Sequence, residues 1–261
     1  IQIVSMRKVT PMRKPVVSFS GSTLKMIAII TMLIDHCGAS IVGPLRHKLP
    51  DGSQLGDFCQ IIYPHMRNIG RLAFPIFCFL LVEGFLHTRN VKKYAFRMFF
   101  FALISEFPFD YAFSNQLIRN AHQNVYFTLL IGLLVMMGMS IFEYRQSITR
   151  FGNYFNLLMQ IAIAAGGLWL AAFLHTDYNY KGIFLIIVLY SLRLDRKLQA
   201  IFGAITISWE AVAPLAFIPI WFYNGERGRQ LKYFFYWFYP VHLLILGFLR
   251  HVVLPCVLHL S

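Results

Sequence analysis

An acid and an imidazole stand side by side in the stretch TLKMIAIITMLIDHCGASIV, Thr23 to Val42. The rest of the stretch is almost wholly apolar. Asp35 and His36 are therefore costly residues that mark a candidate functional site. A neutral imidazole accepts a proton near pH 7, which makes His36 the candidate general base. Lys25 lies eleven residues earlier. Three helical turns take about 10.8 residues, so Lys25 and His36 face the same way, roughly 16 Å apart along the axis. Asp35 points about 100° away from His36, so it is better placed to bind another helix than to orient the imidazole. In the alternative reading, both groups only hydrogen-bond across helices and hold a bundle together.

The elements that must position these groups are membrane helices. The chain has 261 residues, of which 57% are hydrophobic and 13% charged. A soluble domain of this size cannot cover that much apolar surface. The composition predicts an all-α, polytopic transmembrane helix bundle. Period-2 alternation is absent, which argues against a β-barrel. Apolar segments fall at 24–43, 71–87, 94–109, 125–142, 155–174, 182–193, 198–209, 211–223 and 233–249, giving about 8–9 membrane segments. Residues 44–70 read as the longest loop. Residues 198–223 read as a short helical hairpin of re-entrant type, because each arm is short for a span. Residues 1–22 read as a basic cytoplasmic lead, with Met6 or Met12 as candidate starts. Residues 23–261 read as one transmembrane domain. Asp35 and His36 would interrupt the apolar core of a signal peptide, so the first segment is not one.

The formal charge is +13. Basic residues sit in short loops between apolar segments, which points to the positive-inside bias rather than to nucleic acid. With a cytoplasmic N-terminus and the hairpin going in and coming back, 17 of the 24 Lys and Arg fall inside and 7 outside. On that topology Arg71, Glu106, Asp110, His122, Asn124 and Asp177 share the outer half, and His242 lies near the depth of His36. Helix capping accounts for any one of the outer groups about as well as function does. The four cysteines show no metal-type spacing, and no metal is expected.

Several stretches carry a resemblance. LKMIAIITMLIDHCGA, RLAFPIFCFLLVEGFLHTRNVKKYAFRMFFFALISEFPFDYAF, QNVYFTLLIGLL, LHTDYNYKGIFLI and YNGERGRQLKYFFYWFYPVHLLIL resemble the TraX family. That family is named for a conjugation protein that N-acetylates the pilin subunit. It is similar to the acyltransferase-3 membrane acyltransferases, whose first helix carries Arg or Lys, ten residues, then His. Lys25 and His36 match that spacing.

The resemblance implies a multi-pass enzyme of the bacterial cytoplasmic membrane. It would move an acetyl group from cytoplasmic acetyl-CoA to a hydroxyl or amine of an extracytoplasmic acceptor. Envelope polysaccharide, lipid-linked sugar and pilin-like protein all remain open as acceptors, with envelope biosynthesis proteins as partners. The catalytic candidates are His36 and Asp35, by direct transfer or through an acyl-histidine. Lys25, Arg89, Lys93, Arg193 and Arg227 are the acyl-CoA candidates, since basic groups bind phosphates. Arg71, Glu106, Asp110, His122, Asn124, Asp177 and His242 are the acceptor-pocket candidates. A small proton-coupled transporter is the competing class, since it also places His, Asp and Glu inside a bundle.

Overall fold

Polar caps set where the apolar runs become helices. The computed structural model describes residues 18–258 apart from 51, 115–121 and 230–231. Helix α1 (Gly21–Cys37) starts at Ser20, whose Oγ accepts from the Thr23 N–H at 3.2 Å. A π-helical turn (Gly38–Val42) joins it to α2 (Gly43–Lys48). Then follow α3 (Gln54–Gly70), α4 (Ala73–His87) and α5 (Val91–Phe113), with Asn90 capping α5. Asn124 caps α6 (Val125–Glu143), and Thr149 caps α7 (Arg150–Phe173). Beyond α8 (Asn179–Ser191), Asp195 caps α9 (Arg196–Thr206) by accepting from two backbone N–H groups. A 3₁₀ turn (Ala213–Ala216), α10 (Phe217–Trp221), α11 (Lys232–Phe248), a second π-helical turn (Leu249–Val253) and α12 (Leu254–Leu258) complete the order. A side-chain oxygen at such a cap satisfies backbone donors that have no partner inside the helix. The described residues contain no named strand.

Among the described residues, five helical runs are long and apolar enough to cross a membrane: Gly21–Lys48, Gln54–His87, Val125–Glu143, Arg150–Phe173 and Tyr233–Cys256. The chain is a helical membrane protein. Leu24, Ile76, Phe79, Leu133, Met136, Ile183 and Ile186 form its fully buried centre. Phe151, Ile161, Trp169 and Phe173 of α7 face outward, as side chains do against lipid.

Residues 44–70 correct the sequence reading. This segment is not a loop but α2, a short turn and α3. Its prolines and glycines misled. Pro44 sits in the first turn of α2, where its missing N–H costs little. Ser53 caps α3 through the Gly56 N–H at 3.1 Å. Helix α3 is amphipathic, burying Cys59 while Leu55, Phe58 and Ile61 turn outward. Polar residues on one face dilute its mean hydropathy, so it does not stand out as a membrane segment.

The 198–223 hairpin is present and returns to the end it left. Arg196 at the start of α9 lies 5.0 Å over the ring of Tyr223, just past α10. The backbone then pairs with the start of α1: Phe19 N–H donates to Phe222 O at 2.9 Å, and Asn224 N–H to Phe19 O at 3.0 Å. Gly203 lets the two arms touch, since a Cβ there would lie 2.3 Å from the Phe217 ring. The other basic connections gather at this same end. The Gly21 and Ser22 N–H groups donate to Glu226 O and Arg227 O, and Arg227 donates to His87 O. Of the basic lead, residues 1–17 lie outside the described residues.

This arrangement puts the 49–53 connection and the 224–229 loop at opposite ends of the bundle. Single cysteines at Gln54 and Arg229, in a background without native cysteine, should label with an impermeant maleimide from opposite sides of the membrane. Labelling of both from one side would break the assignment of ends.

Candidate functional site

Two adjacent residues of α1 serve two different neighbours. Lys25 and His36 turn to α11. The Lys25 ammonium sits 5.3 Å over the Phe235 ring, and His36 Nδ1 is 2.7 Å from His242 Nε2. Both numbers rise together, so α1 and α11 run in the same direction. Asp35, about 100° round the helix, turns to α3 and pairs with Arg67 through Oδ2 and Nη1 at 2.9 Å. Gly70 gives the carboxylate room, because a Cβ there would lie 2.1 Å from Asp35 Cβ.

Beside these pairs is a cavity of about 180 Å³. Its polar lining is Asp35, His36, Arg67, Arg71, Asp177 and Tyr178, and its walls include Phe74, Phe109, Phe113 and Tyr239. Arg71 follows the last turn of α3. Its Nε is 3.2 Å from Glu210 Oε2, at the tip of the hairpin. Tyr178 stacks on Phe74 with ring centroids 3.4 Å apart. Both arginines are thus paired with carboxylates. Among the described residues Asp177, in the α7–α8 connection, forms no ion pair with either arginine. Removal from bulk water first, and the charge of Asp35 second, push its carboxyl up to about 6, against the pull of Arg71 and Arg67.

Other sequence candidates lie elsewhere. His242 stands behind His36 rather than on the cavity wall. Glu106 and Asn124 form a joint between α5 and α6: Asn124 Nδ2 donates to Glu106 Oε2 at 2.5 Å and to Ala102 O at 2.8 Å. Asp110 is buried on α5, and His122 is exposed in the connection before α6. None of these four lines the cavity. The acyl-CoA candidates share the opposite end of the bundle. Arg89 and Lys93 are exposed around the α4–α5 connection. Arg227 holds the end of α4. Arg193 is committed to an ion pair with Glu143 and lies 4.1 Å over the Tyr190 ring. Arg67 and Tyr178 are polar cavity residues that sequence reasoning missed, Arg67 because it lay within the segment read as loop. Among the described residues, no group of three His, Cys, Asp or Glu could hold a metal ion.

The fold and the cavity define a polytopic helical membrane protein with a charged internal site. A family model described as TraX protein matches residues 20–250, and the chain belongs to that family. It is 30% identical over 260 residues to a probable fimbrial assembly protein FimC, serogroup H1, of Dichelobacter nodosus, covering 88% of this chain and 95% of that protein. No solved structure matches the chain significantly.

Two outcomes follow from the charges. Arg67→Ala strands the Asp35 carboxylate between α1 and α3, so it should destabilise the protein by roughly 1–3 kcal/mol. Adding Asp35→Asn should restore part of the loss in thermal unfolding of the purified protein. Asp177 has the opposite character. A carboxyl raised on folding contributes most stability below about pH 4, and that contribution is lost as the pH rises through its folded value of about 6. Asp177→Asn should therefore raise the unfolding temperature more at about pH 7.5 than at about pH 5. An equal effect at both values would contradict the raised carboxyl.

Proposed function

We propose that this protein is a membrane acetyltransferase that uses acetyl-CoA and acts on a hydroxyl or amine of a pilin-like or other envelope acceptor. The observation that carries the reading is the imidazole of His36 opening onto a cavity that also holds Asp35, Arg67, Arg71 and Asp177 within an apolar bundle. The family's link to pilin acetylation and the fimbrial assembly relative support the choice of acceptor. The end that gathers Arg89, Lys93, Arg227 and the start of α1 is read as cytoplasmic, by the positive-inside bias. On this reading the nucleotide stays at that end near Lys25. The thioester reaches His36, a distance of roughly 16 Å along α1 that an extended pantetheine arm spans.

The step uses groups already present. His36 takes the proton of the acceptor O–H or N–H as that atom attacks the thioester carbonyl carbon. The carbonyl oxygen gains negative charge, which Arg67 and Arg71 are near enough to the cavity to offset. The C–S bond then breaks, and the CoA thiolate takes the proton from the imidazolium. Asp35 acts through Arg67, whose guanidinium it holds at the cavity wall.

His36→Gln keeps a side chain that can bond His242 but removes the base. It should lower acetyl transfer by about 10²–10⁴-fold while leaving acetyl-CoA affinity and folding near wild type. Free-thiol release from acetyl-CoA in the presence of acceptor measures this. Wild-type rates in that variant would return His36 to a structural role. A wild-type protein that releases no thiol but moves protons across vesicles would replace the enzyme reading with a proton-coupled carrier.

A further inference from the structure

The His36–His242 contact has a direction, and the backbone of α11 sets it. His242 Nδ1 lies 2.6 Å from Phe238 O, one turn earlier on its own helix. A carbonyl oxygen only accepts hydrogen bonds, so Nδ1 of His242 must carry a proton. In the neutral ring, Nε2 is then the bare nitrogen. Its neighbour at 2.7 Å is His36 Nδ1, which must therefore be the donor. The two rings lie parallel within 4° with centroids 5.0 Å apart. That separation suits a ring-to-ring N–H···N bond in the plane of the rings rather than face-to-face contact. With its proton on Nδ1, His36 has its lone pair on Nε2. His36 lines the cavity, and no described residue bonds that nitrogen.

We propose that His242 is a positioning residue that fixes His36 as the Nδ1–H tautomer and so presents Nε2 as the basic nitrogen of the cavity. The functional consequence rests on the acyltransferase reading above; the tautomer does not. The pair is held from both sides. His242 is buried, with the Phe238 ring 4.7 Å away, and His36 meets the edge of Phe113 at 5.2 Å. Contact between α1 and α11 by itself would need only apolar side chains, as it does elsewhere in the bundle. An imidazole whose other nitrogen is bonded to a carbonyl is instead the arrangement that selects one tautomer of a second imidazole.

The test separates tautomer from contact. In His242→Gln, the amide oxygen stands near the former Nε2 and still accepts from His36. In His242→Leu, similar volume remains and the acceptor is gone. Ring-nitrogen NMR of the full chain with ¹⁵N-histidine, assigned with the His36→Gln protein, should show His36 protonated on Nδ1 in wild type and in His242→Gln. In His242→Leu the proton should move to Nε2 or spread over both. Acetyl transfer should stay within about tenfold of wild type in His242→Gln and fall by at least about 100-fold in His242→Leu, with acetyl-CoA affinity unchanged. A wild-type His36 protonated on Nε2 would overturn the proposal. So would a His242→Leu protein with wild-type tautomer and rate. If the wild type turns over no acetyl-CoA, the acyltransferase reading fails, and the nitrogen spectrum still decides the tautomer.

Discussion

A charge placed among apolar helices must be compensated where it stands, and the Asp35–Arg67 pair is where this bundle meets that demand. It draws α3 against α1, and Gly70 permits the approach. Once Asp35 is committed to α3, the pitch of α1 turns His36 toward α11. The cavity lies where these two directions diverge. Such a pair is weak evidence for extra stability, since desolvation offsets its attraction. Its larger effect is on specificity: it sets which face of α1 meets which neighbour.

The opposite end is built to hold the short hairpin in register. The Arg196 guanidinium bonds Glu83 at 3.1 Å and lies over Phe79 and Tyr223. The backbone of the 222–227 region pairs with the start of α1. These contacts anchor both arms of the hairpin at one end of the bundle. Its tip then carries Glu210 to Arg71, so a segment too short to span the membrane still contributes a charge to the site. The cavity thus draws on α1, the α3–α4 junction and the α7–α8 connection, with the hairpin tip holding one of its arginines.

Much of this was legible in residue order. Long apolar runs indicated a helical membrane bundle, since a spanning backbone must satisfy its own hydrogen bonds. The eleven-residue spacing of Lys25 and His36 put them on one face, and both meet α11. The angular offset of Asp35 pointed it at another helix, and it pairs with Arg67 of α3. Arg71 and Asp177, assigned to one pocket, do line the cavity together. Glu106 and Asn124, assigned to the same pocket, instead bond each other.

Periodicity and hydropathy report on one helix at a time, which is why the sequence by itself determined the class of fold, the spacing along α1 and the grouping of charge by connection. Which helices become neighbours is a different kind of fact. Helix α3 was hidden because an amphipathic segment with polar residues and prolines resembles a loop in composition, and Arg67 was hidden with it. The link between His36 and His242 joins residues 206 apart in the chain. Only the tertiary structure decided these pairings, because a hydrogen bond or ion pair acts over a few ångströms and depends on which faces the packing brings together.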